Sequence, residues 1–255
     1  ADGTLARTGG RVVKNVAGYA LHRLACGSRG GLAVILEASL KLLPAPETRV
    51  ALVFGASAAE IADGARWAVF PRLEPAVLTV VRGVPVGALP VAAPTAPFTV
   101  FVGLEDDAPW VAEQEAACVR ALGEPDARLE GDPAAALWQS LTDLEDSSPV
   151  RLTFATADNT PEALSPLLDL APDVPVVLHA PAGRLHAFAA PAQTAAVIAA
   201  LAPPHFELVG VAGTESPEPI VAPQAAVLAL RARIRSALDP AGTLALGPRW
   251  ERGGF

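Results

Sequence analysis

Gly9-Gly10-Arg11-Val12-Val13-Lys14-Asn15-Val16-Ala17-Gly18-Tyr19, continuing to Gly27-Ser28-Arg29-Gly30-Gly31-Leu32-Ala33-Val34-Ile35, is the stretch from which the fold is read. Seven glycines fall between Gly3 and Gly31, set among apolar and β-branched residues. Glycine supplies positive-φ turns and lets main-chain amides approach a ligand closely. Successive N–H groups without side chains between them form a concavity suited to phosphate. The same pattern also serves as a plain set of turns between strands.

Three side chains in the stretch carry chemistry. The Lys14 ammonium could neutralise a diphosphate as a point charge, or stay a solvated loop cation. Asn15 suits either a ligand contact or an Asx-turn on its own backbone. Tyr19, the one tyrosine of the chain, could stack on a nucleotide or offer it a hydroxyl; it serves equally as a core residue with one satisfied polar atom.

Outward from there, composition bounds the answer. With 255 residues, 51% of them hydrophobic, and a mean hydropathy of +0.37, the chain can bury one full core or two. Aromatics are few, so that core is built from Ala, Val and Leu. A formal charge of -8 and a pI near 5.0 argue against nucleic acid, which demands clustered cations. No apolar run reaches the roughly 18 residues that span a bilayer, and the segment 32–43 carries Glu37 and Lys41. The chain reads as soluble, with no signal peptide in view.

Cys26 and Cys118 stand far apart without CxxC spacing. They read as free, buried thiols of a reducing cytoplasm, and two are too few for an iron–sulfur cluster, which takes about four thiolates. His22, His179, His186 and His205 form no HxH or HxxxH pair, so no metal site is expected. His179 and His186 fall on strands expected to be neighbours. If they converge, one could act as the base that takes the hydroxyl proton of a 2-hydroxy acid.

Taken in order, residues 19–26 read as a short helix with Leu21, Leu24 and Ala25 inward, stopped by Gly27. The apolar run 32–43 reads as one strand or two, ended by Pro44 and Pro46. Strand–helix alternation follows. Strands are expected over 50–54, 75–81, 98–102, 151–155, 174–179, 184–188 and 205–211. Helices are expected over 56–69 (Ser57 as N-cap; Ile61, Ala65 and Val69 on one face), 108–122, 132–144 (Asp132 as cap), 161–170, 191–201 and 222–238. Two rounds of strand–helix–strand predict a ferredoxin-like α+β domain with an antiparallel sheet.

The wording of the opening resembles one family. Val13-Lys14-Asn15-Val16-Ala17-Gly18-Tyr19, Gly27-Ser28, Gly30-Gly31-Leu32, Val34-Ile35, Glu37-Ala38 and Leu40-Lys41-Leu42-Leu43-Pro44 are similar to the FAD-linked oxidases of the vanillyl-alcohol oxidase type (PCMH-type FAD domain). Within them the resemblance is to the smaller FAD-binding chains of bacterial glycolate oxidase (glycolate dehydrogenase). The dense part covers residues 3–47, with looser echoes at Leu137-Trp138 and Leu238-Asp239-Pro240-Ala241-Gly242.

The resemblance implies an architecture and a function. Residues 1–47 would be the C-terminal part of an FAD-binding domain, 48–215 an α+β cap, and 216–255 a helix and tail returning to the FAD domain. The glycine-rich pyrophosphate loop of such domains precedes this stretch, so the chain is expected to be part of a longer product. The implied cofactor is FAD, contacted by Gly9, Gly10, Lys14, Asn15, Val16, Ala17, Gly18, Tyr19, Gly27, Ser28, Gly31, Val34 and Ile35. The implied activity is flavin-dependent oxidation of glycolate or another 2-hydroxy acid. Electrons would pass to a catalytic flavoprotein subunit and an iron–sulfur subunit, in the cytoplasm or at the inner face of the membrane through those partners. The alternatives are a non-catalytic scaffold subunit of the same complex and a flavoprotein fragment that holds no FAD alone. Two departures matter: Ala20 stands where the family has aspartate, and Ala245-Leu246-Gly247-Pro248-Arg249 replaces its Asn-Pro-Gly-Arg ending. Trp250 is the expected partner contact, with return onto the flavin domain as its alternative.

Overall fold

The computed structural model describes residues 3–10, 19–26, 28, 30–84, 89–92, 94–142, 144, 149–156, 160–165, 168, 173–201, 206–212 and 225–244. Two units make up the chain: Pro44–Glu215, and Ala1–Leu43 with Ser216–Phe255.

The larger unit is built on eight strands: β1 (Thr48–Ala56), β2 (Val77–Arg82), β3 (Phe98–Asp106), β4 (Ala127–Glu130), β5 (Val150–Thr156), β6 (Val176–His179), β7 (Arg184–Ala189) and β8 (Phe206–Ala212). They form one sheet in the order β4-β1-β3-β2-β6-β7-β5-β8, with every pairing antiparallel. Each half has the 4-1-3-2 strand order of a βαββαβ unit, and the halves join through their second strands, β2 and β6. The α+β class with an antiparallel sheet is therefore as the alternation predicts.

Period-two alternation divides the side chains between two faces. Val50, Leu52, Leu78, Val80, Val100, Val102, Leu152, Phe154, Val176, Leu178, Leu185 and Ala187 fill one core. The helices α2 (Ala58–Ala62), α3 (Gly64–Trp67), α4 (Phe70–Leu73), α5 (Ala108–Leu122) and α7 (Thr194–Ala200) supply its other side through Ile61, Trp67, Phe70, Leu73, Val111, Cys118 and Val197. Ala51, Val53, Val81, Phe101 and Val177 point to the opposite face. There Ala134, Leu137 and Leu141 of α6 (Asp132–Thr142) pack on them. Trp138 of α6 lies on Gly103, where an added Cβ would come within 2.6 Å of the indole ring and 2.7 Å of Val77 Cβ. No side chain larger than hydrogen fits there.

Several expectations are corrected. The helix over 56–69 is three short ones. Ser57 caps the first in a capping box with Glu60, as expected, but Asp63 then caps the next by accepting from Ala65 N. An Asp-Gly pair breaks the helix because aspartate bonds the backbone ahead of it and glycine follows at no steric cost. The inward face is consequently Ile61, Trp67, Phe70 and Leu73, while Ala65 is exposed. Strand β4 is unforeseen from the sequence: four residues of alternating polarity give too short a signal. The helices expected over 161–170 and 191–201 open as 3₁₀ turns, Pro161–Leu164 and Pro191–Gln193.

The smaller unit departs furthest. Helix α1 (Leu21–Ala25) forms, yet Leu21 and Leu24 are exposed rather than inward. Residues 33–46 pair with no strand, and 33–43 are exposed throughout. Strand formation needs a neighbouring backbone to complete its hydrogen bonds, and among the described residues none lies beside this run. Helix α8 (Ala225–Leu238) leads into a turn in which buried Asp239 accepts from Thr243 N, Thr243 Oγ1 and Leu244 N, with Gly242 at φ +65°.

Candidate functional site

Of the residues expected to contact a dinucleotide, Lys14, Asn15, Val16, Ala17, Gly18 and Gly27 lie outside the described residues, as do His205 and Trp250. Gly9 and Gly10 are exposed, and Gly9 takes φ +80° beside the His22 ring. Tyr19 is 91% exposed, and Val34 and Ile35 also face outward. These five are open to a ligand. Ser28 and Gly31 are not: both are buried, Ser28 N donates to Ala25 O (3.1 Å) and Gly31 N to Ser28 O (2.9 Å). Their amides close a turn after α1, so they hold its shape instead of facing a phosphate. The exposure of Tyr19 likewise overturns its reading as a core residue.

At position 20 the structure gives the departure a physical meaning. Ala20 is the N-cap of α1 and no side chain caps the helix. An aspartate there would accept from an amide of the first turn; alanine leaves those donors without that partner.

The chemistry-bearing cluster of the larger unit lies at the seam between the two halves of its sheet. A turn at 180–183, closed by Gly183 N donating to Ala180 O (3.0 Å) with Gly183 at φ +57°, joins β6 to β7. It sets His179 diagonally across from His186 on the same face, ring centroids 6.0 Å apart and edge-on at 72°. Thr79 pairs with His179 across β2–β6, and Thr153 with His186 across β5–β7. Thr79 Oγ1 lies 3.0 Å from His179 Nδ1, and Thr153 Oγ1 lies 3.1 Å from His186 Nδ1. The result is a row, Thr79–His179–His186–Thr153, across four adjacent strands.

With both Nδ1 atoms engaged, Nε2 is the remaining functional nitrogen of each ring. Burial lowers the pKa of His179. Burial also lowers His186, to about 4, helped by the charges of His179, Arg151 and Arg184. Both rings are thus neutral at neutral pH, able to give or accept one hydrogen bond apiece at Nε2. The convergence of the two histidines is legible in the sequence, but the threonines are not. A polar residue recurring inside Val77-Leu78-Thr79-Val80-Val81 was the available signal, and a single threonine in a strand is common.

Other groups carry less. Cys118 is buried, and burial together with Glu115 pushes its thiol up to about 12, so it stays a protonated core residue. Cys26 is exposed, contrary to the expectation of a buried thiol. Among the described residues no three His, Cys, Asp or Glu side chains gather as metal ligands, and no helix is long and apolar enough to cross a membrane. Leu137 is fully buried, and Trp138 is half-buried with Arg49 over its ring at 5.1 Å, so this looser echo of the family is a packing feature.

Comparison with known proteins gives local matches to the class of oxidoreductase that the resemblance names. The chain is 51% identical over 53 residues to glycolate oxidase subunit GlcD of Bacillus subtilis (strain 168), covering 21% of this chain and 11% of that protein. It is 54% identical over 46 residues to glycolate oxidase subunit GlcE of Escherichia coli (strain K12), covering 18% and 13%. It is 48% identical over 44 residues to the D-lactate dehydrogenase of Archaeoglobus fulgidus, covering 17% and 10%. The match therefore spans only about a tenth of the length of these relatives. No known family profile matches the chain.

Proposed function

We propose that this chain is an FAD-binding subunit of an oxidoreductase acting on glycolate or a similar 2-hydroxy acid, with electrons passed to partner subunits, one of them an iron–sulfur protein. The observation that carries this reading is the near-50% local identity to two glycolate oxidase subunits and a D-lactate dehydrogenase. The matched lengths are comparable to the stretch 3–47, whose wording carries the resemblance. In this reading residues 1–47 and 216–255 belong to a PCMH-type flavin domain and 48–215 to its cap, and the complex is cytoplasmic.

FAD, when bound, supplies the hydride acceptor; the protein supplies binding and orientation. Lys14 and the amides of 9–18 would hold the diphosphate, with Tyr19, Val34 and Ile35 offering open surface to the rest of the dinucleotide. The Thr79–His179–His186–Thr153 row is the proposed place of the hydroxy acid. One neutral imidazole accepts the hydroxyl proton at Nε2, the other donates to an oxygen of the acid, and Arg151 and Arg184 favour the carboxylate charge.

Absorbance near about 450 nm, the band of a bound flavin, should appear in the purified chain or its complex after FAD is added, and should drop for Lys14→Ala with Asn15→Ala. Absence of flavin from both chain and complex would sink the reading. A scaffold role in the same complex is favoured by the uncapped helix at Ala20 and by the engaged amides of Ser28 and Gly31. Turnover of the reconstituted complex that survives the double alanine variant would decide for the scaffold.

A further inference from the structure

The four-residue row is not symmetric, and the asymmetry assigns different tasks to its two histidines. Thr79 is 2% exposed, whereas Thr153 is half-buried. A buried hydroxyl proton without an acceptor is costly, so Thr79 O–H must donate to something. The side chains adjoining it on its face of the sheet are Val77 and Val81 along the strand, Phe101 across β3 and His179 across β6. Of these only His179 offers an acceptor. Thr79 makes no other side-chain hydrogen bond among the described residues. The donor is therefore the hydroxyl and the acceptor is Nδ1.

We infer that Thr79 is a positioning residue: its hydroxyl donates to His179 Nδ1 and confines the proton of the neutral ring to Nε2. His179 thereby becomes a standing hydrogen-bond donor for an anionic or carbonyl oxygen. The role follows from tautomer chemistry, since a neutral imidazole that accepts at one nitrogen must donate at the other. His186 is under no such constraint. Its partner Thr153 reaches the surface, where water can take the hydroxyl proton, so the bond can run from Nδ1–H to Thr153 Oγ1 and leave a lone pair at Nε2. Of the pair, His186 is the imidazole that can accept a proton from a ligand, and His179 the one that cannot. Applied to a hydroxy acid, which rests on the function proposed above, His179 holds an oxygen of the carboxylate while His186 faces the hydroxyl.

The test is ¹⁵N NMR of the histidine rings in the full-length chain at neutral pH. The expected result is a protonated Nε2 and an unprotonated Nδ1 for His179; an Nδ1–H tautomer there overturns the assignment. Thr79→Val should raise the Nδ1–H population of His179 at least several-fold, Thr79→Ser should restore the wild-type pattern, and Thr153→Val should leave His179 unchanged. A His179 spectrum indifferent to Thr79→Val also overturns it. If Thr79→Val does not fold, the wild-type and Thr79→Ser spectra still decide. Titration with sodium glycolate separates the two claims. A shift of the His179 Nε2–H signal supports the hydroxy-acid reading, while an unmoved signal on a confirmed Nε2–H ring removes that ligand and leaves the proton assignment standing.

Discussion

Leu52 in β1 and Leu40 in the segment after α1 are the same residue type with opposite fates: the first has no exposed surface, the second is 82% exposed. The contrast runs through both units. In Pro44–Glu215 the only exposed large hydrophobic among the described residues is Trp110. In the other unit Leu5, Tyr19, Leu21, Leu24, Val34, Ile35, Leu36, Leu40, Leu42, Leu43, Leu230 and Leu238 are all exposed. Sequence character does not separate the two, since 32–43 is as apolar as β1. Partners do. Strand β1 is bonded on one side to β3 and on the other to β4, with helices over one face and α6 over the other. An apolar stretch becomes core only where backbone and side-chain partners both exist. An uncovered run of this size is a mark of an interaction surface.

The sharpest way to break the comparison is to truncate one leucine in each unit. Leu52→Ala should cost about 2–5 kcal/mol in urea unfolding, whereas Leu40→Ala should stay within about 0.5 kcal/mol. Equal costs would mean that residues 33–43 are covered after all. Gly103→Ala comes next. Its Cβ would collide with Trp138 and Val77, so a loss of about 1–3 kcal/mol is expected, read from the same unfolding curves, with Trp138→Leu in the same chain recovering part of it.

A third experiment follows the pH dependence of the sheet unit. His186 titrates near 4 when folded, against an ordinary value of 6.5, so the unfolded chain takes up the proton first on acidification. Its contribution is fully present above pH 6.5, declines as pH falls from there, and is gone below about 4. His179 is shifted in the same direction. Thr153→Val with His186→Phe should flatten that decline in a series of melting temperatures; an unchanged slope would place the titrating group elsewhere. The smallest effect belongs to the other unit. Ala20→Asp should add a cap worth about 0.5–1 kcal/mol to α1, seen as slower amide exchange over 21–26. No change there would mean that the first-turn amides already have acceptors.

Much of the larger unit is legible in its residues. Strands β1, β2, β3, β5, β6, β7 and β8 announce themselves by apolar, β-branched runs between turn residues, and α5 by Asp107, which caps it, and by Gly123, which ends it. Ser57 with Glu60 signals a capping box directly. What escapes is whatever depends on a partner or a small local competition. The Asp63-Gly64 break outweighs the helical spacing of Ile61, Ala65 and Val69, and β4 exists because β1 offers it an edge. The candidate site divides in the same way. The histidines can be singled out from chemistry alone, but the threonines matter only because register sets each one opposite an imidazole.

Composition and local pattern determined the class of this protein by themselves: the period of apolar residues and the chemistry of caps and turns act within a few residues, where backbone sterics dominate. The strand order, the seam that gathers Thr79, His179, His186 and Thr153, and the exposure of residues 33–43 were decided only by the tertiary structure. Those features rest on contacts between residues distant in the chain, and no local preference specifies which strand will lie beside which.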